Sequence, residues 1–291
     1  MEAAELLRKV RKIEIKTRRA CNQLFSGEYH SAFKGRGMSF SEVREYQPGD
    51  EIRSIDWNVT ARLNHPYVKI FEEDRELNIV LMVDASSSSF FGTNHQVKQD
   101  LMVEICALLS FSALHNNDQI SVIFFTDRIE KFIPPVKGAA HVLRIIRELL
   151  NFTPSSPKTD LSEALHFLNG IMKHRSIVFI LSDFMSSQYE HALHIASKKH
   201  DVVCVRVYDP KERELPNLGI ITLSDAETGR QVLYDSSSWK SREAYAKQFD
   251  VYSRYFTKAF RRSGADAVSI STTDDYIRSF LLLFKRRAIR P

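Results

Sequence analysis

Two uninterrupted apolar runs, Ile79–Val83 and Ile177–Leu181, lead into aspartates: Asp84 follows the first directly, and Asp183 follows the second after Ser182. Runs of this kind suit strands covered on both faces, as in a parallel α/β sheet, rather than the alternating strands of a half-solvated one. Open α/β sheets gather their ligands at the carboxyl ends of the strands. Both acids therefore fall where a site would form. If the two strands are neighbours, their carboxylates share one crevice.

The rest of the chain supports that placement. Strand patterns at 78–83, 119–125, 129–133, 176–182, 202–207 and 267–270 alternate with helical patterns near 95–115, 139–151, 161–173, 188–199, 239–262 and 275–286. Such alternation predicts an α/β fold over 77–291, a doubly wound, mainly parallel sheet with helices on both faces. Short extended pieces flanking Glu227-Thr228-Gly229 predict a hairpin insertion near 219–235. Residues 1–76 read differently, as a basic helix over 4–25 followed by a small β-rich subdomain broken by Gly35, Gly37, Pro48-Gly49 and Pro66.

Asp84 opens the spacing Asp84-x-Ser86-x-Ser88. A carboxylate with hydroxyls two and four residues on makes a set of hard oxygen donors, suited to Mg²⁺ or Mn²⁺ rather than to a soft metal. Thr159 follows the Pro/Ser-rich loop 153–158, and Asp160 with Glu163 forms a capping-box pattern that leaves Thr159 free to point elsewhere. Asp84, Ser86, Ser88, Thr159 and Asp183 together would surround one dication, leaving room for a water or a foreign oxygen.

Other chemistries find less support. There is no Gly-x-Ser-x-Gly elbow for a serine hydrolase and no Gly-x-x-x-x-Gly-Lys-Ser/Thr loop for a nucleotide. An aspartyl-phosphate enzyme would want a second carboxylate where Ser86 stands. His191 and His194 lack an acidic partner set and read as surface or half-buried residues. Cys21, Cys106 and Cys204 are odd in number and far apart, which suits reduced thiols. No segment reaches membrane-spanning length and the N-terminus lacks the apolar core of a signal peptide, so a cytoplasmic location is expected. The net charge of +5 is concentrated at the start, where residues 1–36 hold nine Lys/Arg against four Asp/Glu. Lys285, Arg286, Arg287 and Arg290 make the other end basic too. Solvated helix faces explain such ends; nucleic acid or an anionic membrane surface is the alternative partner class.

The order of elements with Asp84-x-Ser86-x-Ser88, Thr159 and Asp183 resembles the von Willebrand factor A domain and its metal-ion-dependent adhesion site, over roughly 77–287. The preceding segment, Tyr46-Gln47-Pro48-Gly49-Asp50-Glu51-Ile52-Arg53-Ser54-Ile55-Asp56-Trp57-Asn58 with Thr60-Ala61-Arg62, is similar to the signature of a bacterial family catalogued as domain of unknown function 58. Its members typically occur beside MoxR-type AAA+ ATPases, and many carry transmembrane helices ahead of this region, so this chain resembles the short, soluble type. The resemblance implies a non-enzymatic interaction module that binds a partner's Asp or Glu through Mg²⁺, acting as adaptor or co-chaperone of such an ATPase. It also implies a terminal helix, 275–286, able to shift on binding. Within the signature, Arg53, Asp56 and Arg62 around Trp57 suit either a salt-bridged clamp with Trp57 as buried anchor or a docking surface for the ATPase.

Overall fold

The computed structural model describes residues 38–73, 77–93, 97–186 and 188–288, with Val10, Arg11, Ile13, Glu14 and Thr17. Apart from those five positions, the basic helix expected over 4–25 lies outside the described residues, as do Cys21 and Arg290. The chain divides into two compact units, Phe33–Leu77 and the remainder.

The smaller unit is built on an antiparallel pair, β1 (Met38–Glu45) and β2 (Tyr67–Glu73). The signature residues fold the connection between them. Pro48-Gly49 turns the chain, with Gly49 at φ +113°, and Asp50 accepts from the Gln47 amide at 2.8 Å while pairing with Arg44 at 2.7 Å. Asp56 caps helix α1 (Trp57–Leu63), its Oδ1 accepting from the amides of Asn58 and Val59 at 2.9 and 3.2 Å. Asp56 also pairs with Lys69 at 3.5 Å. The buried-anchor expectation for Trp57 fails: the indole occupies the first turn of a short helix with no buried residue and is 66% exposed.

The larger unit holds, among its described residues, a six-stranded sheet ordered β10-β7-β6-β3-β4-β5. Its strands are β3 (Asn78–Asp84), β4 (Gln119–Phe125), β5 (Ile129–Val136), β6 (Ile177–Ser182), β7 (Asp201–Tyr208) and β10 (Asp266–Ser271). All pairings are parallel except β4 with the edge strand β5. Counted in chain order within the sheet, the sequence is 3-2-1-4-5-6, the doubly wound order whose ligand crevice opens between the first and fourth strands. Those strands are β3 and β6, paired from Ile79↔Ile177 to Val83↔Leu181.

Helices α2 (Lys98–His115), α3 (Ala139–Asn151), α4 (Leu161–Ile171), α5 (Glu190–Lys199), α6 (Pro210–Arg213), α7 (Trp239–Ser263) and α8 (Tyr276–Ala288) complete the unit. Because strand side chains alternate, Val80, Met82, Val178 and Ile180 pack with Leu165 and Leu168 of α4, Leu193 of α5 and Phe256 and Phe260 of α7 in one core. On α8, Phe280 is buried with its ring centroid 6.5 Å from that of Phe179, whose parity is opposite to Val178 and Ile180. The sheet is thus covered on both faces, as its unbroken apolar runs require. Strands β8 (Ile220–Ser224) and β9 (Gln231–Asp235) pair only with each other, as a hairpin. Cys106 and Cys204 are buried free thiols, raised above the usual range by burial. Among the described residues no helix is long and apolar enough to cross a membrane.

Candidate metal centre

The crevice between β3 and β6 brings the two acids together. Asp84 is only 2% exposed; its Oδ1 accepts from the Ser86 amide at 3.0 Å and its Oδ2 from the Ser182 hydroxyl at 2.6 Å. Ser182 lies on β6, one residue before Asp183, so this bond ties the two strand ends directly. A single 3₁₀ turn, Ser87–Phe90, follows, and the hydroxyls of Ser86, just before it, and Ser88, within it, stand 3.1 Å apart. The Ser87 amide bonds the Pro157 carbonyl at 3.1 Å, which fastens this turn to the loop carrying Thr159.

Asp160 does cap α4, accepting from the amides of Ser162 and Glu163. The reciprocal half of the expected capping box is not made, because the Asp160 amide is committed to the Thr126 carbonyl at 2.9 Å. With Asp160 engaged, Thr159 Oγ1 is left buried and, among the described residues, without a hydrogen bond.

Asp183 is held by a group the sequence does not announce. Its Oδ2 accepts from Lys98 Nζ at 2.8 Å and its Oδ1 from the Met185 amide at 3.1 Å. Lys98 opens α2, is 1% exposed, and also reaches Glu212 Oε1 at 2.6 Å. Glu212 is positioned by a capping box: its Oε2 accepts from the Asp209 amide, while Asp209 caps α6 and bonds Thr93 and Thr272. The residue after Asp183 is Phe184, at φ +54°, a rare conformation for a bulky side chain. Its ring is buried among Tyr189, Phe256 and Phe260, with centroids 5.8, 4.8 and 6.2 Å away.

The electrostatics follow from this geometry. Burial, reinforced by the Asp183 charge, pushes the Asp84 carboxyl up to about 6. Burial works against the Asp183 anion as well, but the Lys98 ammonium prevails and holds it below the usual range. Lys98 is raised despite its burial, by Asp183 and Glu212. Glu212 is raised by burial, which outweighs Lys98. Glu227 is raised by burial, with the Asp183 charge adding to it.

The donor set fits a small hard dication. Two neighbouring carboxylates, one of them reluctant to ionise, gain from a cation between them. The Thr159 hydroxyl has no competing bond to give up. Each acid already accepts two hydrogen bonds, but the ammonium of Lys98 sits on Asp183 alone, which suits Asp183 to the ion's water shell and leaves Asp84 the acid that gains most from a cation. Among the described residues no three His, Cys, Asp or Glu side chains gather as a metal cage; the site offers two acids plus hydroxyls. Asp56 in the other unit is spent on capping, while Arg53, Trp57 and Arg62 are exposed.

The fold and this crevice define a doubly wound, mainly parallel α/β domain with an acid-and-hydroxyl site at its switch point. Residues 42–254 match the family described as protein of unknown function DUF58, and the chain belongs to it. It is 29% identical to the uncharacterized protein Rv1480 of Mycobacterium tuberculosis over 273 residues, covering 92% of this chain and 85% of that one. Among solved structures it is similar to BatB from Bacteroides thetaiotaomicron, with TM-score 0.49 and 13% identity over 74% of this chain and 100% of that one. A mussel byssus protein, proximal thread matrix protein 1, described with a zinc-occupied MIDAS motif, gives TM-score 0.41 and 12% identity over 73% and 47% of the two chains.

Proposed function

We propose that this chain is a non-enzymatic, metal-dependent protein-interaction module. Asp84, Ser86, Ser88 and Thr159 would hold one Mg²⁺ or Mn²⁺, with Asp183 acting on its water shell. Bound there, the ion supplies an electrophilic position for an Asp or Glu oxygen of a partner protein. The observation that carries this reading is the pairing of Asp84 with the β6 terminus beside a buried Thr159 hydroxyl that has no bond. A binding role also agrees with the contacts of the serines. Ser86 Oγ is bonded to Ser88 Oγ, and among the described residues neither is bonded to a histidine base.

The partner we propose is a MoxR-type AAA+ ATPase, for which this protein serves as adaptor. Exposed Arg53, Trp57 and Arg62 on the smaller unit are assigned to that contact, since an outward tryptophan flanked by arginines is the composition of an interface centre. Asp56 is assigned to support of that surface.

Calorimetric titration of the protein with Mg²⁺, beside Asp84→Asn, tests the reading. Saturable binding lost in the variant is the expected result. A folded wild type that binds neither Mg²⁺ nor Mn²⁺ overturns it. If the chain instead binds anionic vesicles or nucleic acid with steep salt dependence and indifference to Asp84→Asn, the basic ends are the functional surface.

A further inference from the structure

The β8–β9 hairpin is fastened to α7 and leaves one face in solvent. Tyr234 is half-buried, its hydroxyl donating to the Ser241 carbonyl at 2.5 Å and its ring centroid 6.4 Å from that of Tyr245. At the base the Ser236 hydroxyl donates to the Gly219 carbonyl at 2.7 Å, and Arg242 reaches the Ser236 carbonyl at 2.6 Å. Residues directly opposite share a face, so the side away from Tyr234 presents Ile220, Thr222, Ser224, Gln231, Leu233 and Asp235. All six are exposed. Ile220 and Leu233, each 75% exposed, are the most exposed large apolar side chains among the described residues.

The backbone of β9 is open as well. The Asp225 amide donates to the Arg230 carbonyl at 2.9 Å and the Ser236 amide to the Gly219 carbonyl at 2.8 Å. Arg230 and Ser236 thus turn their backbone groups toward β8. Alternation gives Val232 and Tyr234 the same direction and points the N–H and C=O of Gln231, Leu233 and Asp235 the other way. Among the described residues no strand pairs with that edge. Sheet edges are usually guarded by a lysine, a proline or a bulge, since unpaired backbone groups invite another chain. β9, Gln-Val-Leu-Tyr-Asp, has none of these, and its register with β8 is unbroken.

We propose that β9 pairs antiparallel with β9 of a second copy, about a two-fold axis at Leu233, to make a four-stranded sheet. The outward backbone groups match in that register. Leu233 faces Leu233 of the second copy and Gln231 faces its Asp235, each pair exchanging two hydrogen bonds. The side chains match too: two leucines meet at the centre, and an amide donor meets a carboxylate at either end. A register centred on Asp235 would instead set two carboxylates opposite one another, which is destabilising. One centred on Gln231 would oppose each Leu233 with Gly229. Five residues of each strand join, where a standard interface uses about 20–30 a side, so the dimer is reversible and needs micromolar protein. The crevice between β3 and β6 takes no part in this contact.

Sedimentation equilibrium of the full chain over a wide range of concentration reads the dimer. Wild type should pass from monomer to dimer as concentration rises. Leu233→Lys sets two ammonium groups at the axis and should weaken association about tenfold. Leu233→Cys checks the register, because hydrogen-bonded pairs hold their Cα atoms about 5.5 Å apart, within disulfide reach. Thr222→Cys, also exposed, would lie about 14 Å from its counterpart across three strand spacings and should stay reduced. Peptide mapping after mild oxidation locates the link; Cys106 and Cys204 are buried. A monomer at every concentration overturns the pairing and leaves the edge to a strand from another protein. A dimer that tolerates Leu233→Lys, or that links through Thr222→Cys in place of Leu233→Cys, overturns this register. Leu233 is solvated, so its variants should unfold at the wild-type midpoint in dilute solution, which separates a lost dimer from a lost fold.

Discussion

Lys98 and Asp183, 85 positions apart in sequence, form an ion pair of 2.8 Å whose ammonium is almost wholly removed from solvent. The same ammonium holds Glu212 at 2.6 Å, so one cation is shared by two acids beside a third, Asp84. A buried lysine of this kind sets the charge of the crevice before any metal arrives.

Replacing that cation should therefore be costly. Lys98→Met is expected to destabilise the protein by about 3–5 kcal/mol at neutral pH, because it leaves buried carboxylates without a partner. Urea denaturation followed by circular dichroism measures the loss. Lowering the pH toward 5 should recover part of it, as the stranded acids take up protons.

Asp84→Asn should act in the opposite direction on the metal-free protein. The native carboxyl titrates near 6, above its unfolded value of 3.8, so the anion opposes folding once the pH exceeds that window. The variant should be more stable than wild type by on the order of 2 kcal/mol at pH 7. The advantage should shrink between pH 6 and 4 and vanish below. Thermal unfolding across that range checks the sign. A variant less stable at pH 7 would show that the Ser86 and Ser182 bonds to the carboxylate outweigh its burial.

His200 gives a second acid-sensitive element, remote from the crevice. It caps the carboxyl end of α5, is buried, and among the described residues neither ring nitrogen has a partner. Burial, with Lys199 and Arg175 adding to it, lowers its pKa to about 4 against an unperturbed 6.5. Its contribution to stability is present above pH 6.5 and should be lost as the pH falls toward 4, because between those values the unfolded chain holds a proton that the folded one lacks. His200→Phe should flatten the stability profile over that interval, as denaturant midpoints at pH 7, 5.5 and 4.5 would reveal.

Phe184 invites a comparison of two truncations. Phe184→Ala should cost about 3–5 kcal/mol through lost aromatic packing. Phe184→Gly removes the same ring but suits φ +54° better, so it should be no less stable than the alanine variant. In an ordinary helical position glycine is the worse of the two. Denaturant midpoints for the two variants decide the matter.

The parts of the site legible in the sequence are those that depend on one local pattern. Unbroken apolar runs place Asp84 and Asp183 at strand ends, and the short-range spacing of Ser86 and Ser88 needs no tertiary information. Thr159 is legible because Asp160 is the better cap. Lys98 and Glu212 are not, since their pairing depends on which loops converge over β6, and a lysine at the start of a helix usually points to water. The spacing of Asp209 and Glu212 accounts for the capping box between them, not for the bond from that glutamate to a buried lysine. Trp57 misleads for a related reason: large aromatics are usually buried, and only the short exposed helix turns this one outward.

Helix α7 begins at the root of the hairpin and, some seventeen residues on, supplies Phe256 and Phe260 to the ring cluster around Phe184. One rod thus touches both the root of the hairpin and the Phe184 bend beside Asp183. Pushing or rotating that rod would strain the bend, so a protein that grips the outer face of α7 would act on Asp183 without ever entering the crevice.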